Sequence, residues 1–194
     1  MSTPASVPKF AFSHMGMFVA DLARMRDFYT RVLGFTVTDT GALDLMSETP
    51  PRRLEFVFLS RDPHEHHQIV LATGKPEKLP FNPINQISFR MAEFSGLREM
   101  YRRVVDEQVK ELHPVSHGNA LSVYFHDPEG NRLELFVDTP WYVQQPLRIP
   151  MDMKMDDEQL WAWAEAEAKK QPGFKPVQDW SAEMARRMNS GQRL

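Results

Sequence analysis

The sequence contains no cysteine, which excludes disulfide staples and thiolate metal ligands. Histidine, carboxylate, amide and water are the donors left to any bound metal. No apolar run approaches the roughly 18 residues needed to span a bilayer. Met1–Lys9 shows neither the charged start nor the apolar core of a secretory leader, so cytoplasm is the expected compartment. Charge of neither sign dominates: the formal net charge of -3 gives no electrostatic reason to expect nucleic acid or an anionic membrane as partner. What is present is ordinary for a globular protein, with 42% hydrophobic and 25% charged residues in 194. That length suits one domain or two small half-domains sharing a core.

The most informative feature is a repeat. Displacing the chain by 72 positions lays His14-Met-Gly-Met-Phe-Val-Ala-Asp over Gln86-Ile-Ser-Phe-Arg-Met-Ala-Glu without a gap. Further along, Arg26 meets Arg98, Tyr29 meets Tyr101, Arg31 meets Arg103 and Val32 meets Val104. Both copies begin as an extended apolar stretch and change to helical spacing. In the first, Met15, Met17 and Val19 alternate on one strand face and Asp21 is placed to cap a helix. Leu22, Met25, Phe28, Tyr29, Val32 and Leu33 then recur at helical intervals up to Gly34. The second repeats this with Ile87, Phe89 and Met91, then Leu97, Met100, Tyr101, Val104 and Val105.

Three strands are expected after each helix, near Phe35–Asp39, Arg53–Ser60 and His67–Thr73, and near Lys110–Val115, Ala120–Phe125 and Arg132–Val137. Asp127-Pro-Glu-Gly-Asn131 is a strong turn signal before the last of them. Gly74–Pro83, with Pro76, Pro80 and Pro83, reads as a linker. The fold class is therefore α+β, with two paired modules forming a curled mixed sheet around a shared cleft where a ligand would sit. The organisation is a first module over 10–73, a linker over 74–84, a second module over 85–140 and a helical C-terminal extension over 141–194. In that extension the acidic start Asp156, Asp157, Glu158 precedes Leu160, Trp161, Trp163 and Ala164, and a second amphipathic helix follows Asp179. It reads as a packing or dimer-covering appendage rather than a catalytic lid. Trp141 and Tyr142 either line an aromatic pocket or anchor this tail to the sheet.

Few residues are candidates for chemistry. His14, on the first strand, is either a structural histidine or a ligand, and its repeat partner is Gln86. Glu134 lies in Leu133-Glu134-Leu135-Phe136-Val137, a carboxylate in an apolar strand. Desolvating a charge is costly, so Glu134 either faces solvent on an edge or holds a metal. In Glu65-His66-His67-Gln68-Ile69 two histidines lead into a strand, where alternation lets only one face the cleft. An uncoordinated histidine there suits proton transfer near neutral pH, and a solvated strand end is the alternative. His117 and Tyr124 could join Glu134 at the cleft mouth, whereas His113 and His126 read as loop residues.

His14-Met-Gly-Met-Phe-Val, Asp27-Phe-Tyr29, Leu33-Gly-Phe35 and Asp127-Pro-Glu-Gly-Asn-Arg-Leu-Glu134-Leu together resemble the vicinal oxygen chelate superfamily, across about residues 10–140. This superfamily includes glyoxalases, bleomycin- and fosfomycin-resistance proteins and extradiol ring-cleavage dioxygenases. The resemblance implies paired βαβββ modules, usually in a homodimer. The pattern is most similar to the extradiol dioxygenases, whose site of two histidines and one carboxylate holds iron. That similarity implies His14 and Glu134 as metal ligands, His67 as the acid/base on bound dioxygen, Tyr124 as the substrate-bonding tyrosine and His117 as a supporting histidine. Gln86 stands where the dioxygenases carry their second histidine ligand; glyoxalase-type members do use glutamine as a ligand.

The resemblance thus implies one divalent ion, Fe(II) foremost, with Mn, Ni, Zn or Mg as other occupants of His14, Gln86 and Glu134. It implies a small aromatic or vicinal-oxygen substrate, O2 as co-substrate, and a place in aromatic compound catabolism. Three functions follow as expectations. The first is cleavage of a catechol-like ring with O2. The second is a glyoxalase-like isomerase or lyase using a redox-inert metal, which Gln86 favours and His67 disfavours. The third is a metal-free small-molecule binding module of the same fold.

Overall fold

The computed structural model describes residues 11–46, 50–77 and 81–190. The reading of Met1–Lys9, the start of the first module at Phe10, and Pro80 of the linker lie outside the described residues. The chain forms two compact units, Met1–Pro80 and Phe81–Leu194.

The first unit runs β1 (Met15–Val19), α1 (Leu22–Asp27), β2 (Thr36–Leu45), β3 (Arg52–Ser60) and β4 (Ile69–Thr73). Its sheet has the order β1-β4-β3-β2, with β1 parallel to β4 and the other pairs antiparallel. Asp21 caps α1 as expected, its carboxylate accepting the Arg24 N–H at 2.9 Å. The helix continues as a π-helical turn, Phe28–Val32, and ends at Gly34, whose φ of +73° a side chain rarely adopts. Met25, Phe28, Tyr29, Val32 and Leu33 are buried, as are Met17, Val19, Val57, Leu59, Ile69 and Leu71 on the strands. Each large side chain so buried contributes about 1.5–3 kcal/mol.

The second unit repeats the plan. It has β5 (Ile87–Arg90), α2 (Phe94–Asp106), β6 (Lys110–Ser116), β7 (Ala120–His126) and β8 (Arg132–Asp138), with β5 parallel to β8. Both units are therefore βαβββ modules. The register is conserved in kind: Met15 pairs with Ile69 in the first, Ile87 with Leu133 in the second. Of the apolar positions read on α2, Leu97, Met100 and Val104 are buried, but Val105 is 43% exposed and Phe94 takes part in the core instead. His113 and His126 are strand residues of β6 and β7 rather than loop residues.

The turn between β7 and β8 forms as its sequence indicates. The Asp127 carboxylate accepts the N–H groups of Glu129 and Asn131, both at 2.9 Å, and the Asn131 amide at 2.7 Å. Burial pushes this carboxyl above its ordinary range, and those three donors act in the opposite direction. Asp127→Ala would leave buried donors unpaired and is expected to cost about 2–3 kcal/mol, read as a lower urea midpoint. A change below about 0.5 kcal/mol would contradict this account of the turn.

The tail is not only helical. It contributes β9 (Trp141–Tyr142), β10 (Ile149–Pro150), α3 (Asp157–Lys169), β11 (Lys175–Pro176) and α4 (Val177–Ser190), the last starting two residues before Asp179. β10 extends the second sheet beyond β6, giving the order β10-β6-β7-β8-β5. Asp156 and Gln159 close a capping box at α3, which explains the acidic start read there. Trp141 and Tyr142 anchor the tail. Trp141 meets Trp161 edge-on at 6.0 Å, and Tyr142 stacks on Trp180 at 5.2 Å. Arg98 of α2 donates to the carbonyls of Met153 and Met155 and pairs with Asp157. Among the described residues no helix is long and apolar enough to cross a membrane.

Candidate active site

In the second unit β8 runs between β7 and β5, so Glu134 is interior to the sheet and not on an edge. It is 6% exposed. Register places Ser88 and Tyr124 on either side of it, one on each neighbouring strand. Glu134 Oε2 accepts from Ser88 Oγ at 2.5 Å and from Gln86 Nε2 at 2.8 Å. The Tyr124 hydroxyl also hydrogen-bonds Glu134. His117 Nε2 stands 3.8 Å from Oε1. Neutral donors thus meet this buried carboxyl group.

Tyr124 is 4% exposed, and its Oη lies 3.0 Å from His117 Nε2. Burial holds its hydroxyl well above the ordinary phenol range, and the Glu134 carboxylate raises it further. Tyr124 therefore remains protonated at neutral pH and is a hydrogen-bond donor. Gln86, Ser88, His117, Tyr124 and Glu134 line a pocket of about 350 Å³ together with Asn119, Ala120, Phe136 and Gln145. Its chemistry is that of one carboxylate, three amides, one imidazole and two hydroxyls converging on a small space.

In the first unit His14 immediately precedes β1 instead of lying on it, and is exposed. His66 and His67 precede β4, which begins at Ile69, so strand alternation does not separate them. Their Nδ1 atoms lie 2.8 Å apart, and both rings meet Phe58, at 5.6 and 5.3 Å. The His14 and His67 rings stand 4.2 Å apart. Partial loss of water around His67 lowers its pKa, and the neighbouring His14 and His66 add to the effect. His67 is accordingly a neutral imidazole near pH 7, able to take up a proton.

Each unit therefore gathers its own share of the candidate residues: His14 and His67 in the first, Gln86, His117, Tyr124 and Glu134 in the second. Within either unit, among the described residues, no three of His, Asp or Glu stand together as a metal-holding group. The donor chemistry does suit a divalent ion. Glu134 offers carboxylate oxygens, and Gln86, whose Nε2 donates to one of them, carries an amide oxygen that a turn of the amide would bring to the same place. Ser88, Asn119 and Gln145 were not singled out from sequence. Ser88 had a signal, since it stands two residues beyond Gln86, which immediately precedes β5. Gln145 had none.

A family model described as the Glyoxalase/Bleomycin resistance protein/Dioxygenase superfamily matches residues 11–135. Biphenyl-2,3-diol 1,2-dioxygenase 2 of Rhodococcus globerulus is 28% identical over 138 residues, which cover 69% of this chain and 64% of that protein. The chain thus spans less than two thirds of the length of that relative. Lactoylglutathione lyase of Escherichia coli O157:H7 is 26% identical over 125 residues, covering 63% of this chain and 88% of the lyase. The crystal structure of a glyoxylase/bleomycin resistance protein/dioxygenase domain from Frankia sp. EAN1pec matches with a TM-score of 0.55 at 20% identity. It covers 69% of this chain and 94% of that one, and supports the fold alone.

Proposed function

Because the chain belongs to the glyoxalase/bleomycin resistance protein/dioxygenase superfamily, we propose that it is a metal-dependent extradiol-type dioxygenase acting on a catechol-like ring. The observation that carries this reading is the buried Glu134 carboxylate beside Gln86, with Tyr124 and His117 facing the same pocket. The similarity to a biphenyl-2,3-diol dioxygenase supports the substrate class. We assign His14, Gln86 and Glu134 as ligands of one divalent ion, with Fe(II) the occupant that oxygen chemistry requires. When bound, that ion would draw two neighbouring substrate oxygens and O2 together and supply the electronic path between them.

The chain's own residues do the rest. Tyr124, kept protonated, hydrogen-bonds a substrate oxygen and orients the ring. His67 is the proton carrier, taking a proton from a substrate hydroxyl and returning it when the ring opens. His117 sets the direction of the Tyr124 hydroxyl. Phe136 offers the pocket an apolar wall against an aromatic ring. The net change breaks one ring carbon–carbon bond beside a hydroxyl and places both atoms of O2 in the product, so no external reductant is consumed. We further propose a homodimer in the cytoplasm as the working form.

Oxygen uptake with a panel of catechols, including 2,3-dihydroxybiphenyl, after anaerobic loading with Fe(II) tests the proposal. The expected result is stoichiometric O2 consumption with appearance of a yellow ring-opened product. Absence of uptake by protein shown to hold iron would end the dioxygenase reading. The second reading, a glyoxalase-like isomerase or lyase, is favoured by glutamine at position 86 and by the lactoylglutathione lyase similarity. It predicts turnover of a 2-oxoaldehyde hemithioacetal with Ni or Zn and no oxygen uptake.

A further inference from the structure

We infer that the tail segment Trp141–Leu147 is a built part of the second-unit site, holding the His117 imidazole in its Nδ1–H tautomer so that Nε2 faces the Tyr124 hydroxyl as an acceptor. A backbone carbonyl can only accept. The Leu147 carbonyl lies 2.6 Å from His117 Nδ1, so that nitrogen carries the hydrogen. In the neutral ring Nε2 is then a lone pair, 3.0 Å from Tyr124 Oη. Free histidine favours the opposite tautomer, so the carbonyl selects against the intrinsic preference.

The main chain beneath the ring is held by the same segment and by Thr139 just before it. Gln145 Nε2 donates to the His117 carbonyl at 2.7 Å. The Gly118 carbonyl accepts from Thr139 Oγ1 at 2.8 Å and from the Trp141 indole N–H at 2.6 Å. Val143, fully buried, sits directly over Gly118, where a Cβ would come within 2.2 Å of its Cγ2. Gly118 also has a φ of +76°, so both the backbone and the space above it demand glycine. The turn carrying His117 is thus clamped from above and at both carbonyls by residues 139–147.

The consequence is a direction for Tyr124. Its single hydrogen has two acceptors, Glu134 and Nε2. Once a cation engages Glu134, the hydrogen turns to Nε2 and the phenol oxygen is left to accept from a substrate hydroxyl. This consequence rests on the dioxygenase reading; the tautomer itself does not. Leu147 and Gln145 are positioning residues, acting through His117.

The test is long-range 1H–15N correlation of histidine rings in the full-length protein at mildly alkaline pH, with His117 assigned by loss of its signals in His117→Gln. The expected spectrum shows Nδ1 protonated and Nε2 bare. Nε2–H in the native protein would overturn the inference. Gly118→Ala should displace Val143 and move His117 toward the Nε2–H form, and Gly118→Ala/Val143→Ala should restore much of the Nδ1–H signal. Gln145→Ala, at an exposed position, should produce the same shift without loss of fold by near-UV circular dichroism. If Gly118→Ala and Gln145→Ala fold and leave the tautomer unchanged, the clamp has no role. Absence of oxygen uptake in the native protein would remove the dioxygenase reading while these spectra still decide the tautomer.

Discussion

Glu134→Gln should abolish tight binding of a divalent cation, weakening it by more than about 100-fold, and should reduce turnover of any catechol to background. Glutamine preserves the shape and keeps one acceptor oxygen for Ser88 and Gln86, so the variant should fold, while the charge is lost and the other oxygen becomes an NH2 donor. Glu134→Ala is a poorer probe. It takes the shared acceptor from Ser88 and Gln86, at about 1–3 kcal/mol for each one that water cannot reach. The readout for Glu134→Gln is thermal unfolding against metal concentration. A cation present at a hundred times its dissociation constant stabilises the folded state by about 2.7 kcal/mol. Native protein should show that rise with Fe(II) or Mn(II), and the variant should not. Equal rises in both would remove Glu134 from the ligand set. No rise in the native protein with Fe, Mn, Ni, Zn or Mg would leave the metal-free binding reading as the survivor. Ser88→Ala should fall between, with affinity reduced about 10- to 100-fold, because Ser88 orients the oxygen it bonds.

Trp141→Ala is expected to be among the most destabilising single changes in the second unit, at about 3–5 kcal/mol in equilibrium urea unfolding. Trp141 is 8% exposed, meets Trp161 and Phe174, and its indole N–H serves the Gly118 carbonyl. Its removal loosens α3 and the His117 turn together. Trp141→Phe separates the two effects, keeping most of the apolar contact and losing the hydrogen bond, for about 1 kcal/mol. If Trp141→Ala cost less than about 1 kcal/mol, the tail would be a passenger and not part of the second unit's core.

The sites most legible in the sequence were those whose cause is local. The Asp127 turn, the Asp21 cap and the helix stop at Gly34 each follow from one residue's geometry and formed as read. Glu134 was singled out because a carboxylate inside an apolar run contradicts its surroundings, and it proved buried. Its neighbours were only half legible. Tyr124 and Gln86 came from the repeat and the resemblance, whereas Ser88 was overlooked although it stands two residues beyond Gln86. The histidine pair failed for a plain reason: the strand starts two residues later than its apolar run suggested, so alternation did not govern His66 and His67.

By itself the sequence determined the duplicated strand–helix–three-strand plan, because apolar periodicity of two and of about 3.6 is written residue by residue and survives without knowledge of neighbours. It also determined which ionisable groups stand in apolar surroundings. Only the tertiary structure decided that β8 is interior, that neutral donors satisfy Glu134, and that the Leu147 carbonyl reaches His117. Those facts depend on which strands become neighbours and on a backbone group meeting a side chain 30 residues away. A backbone carbonyl is common to every residue, so nothing in the identity of Leu147 marks it in advance.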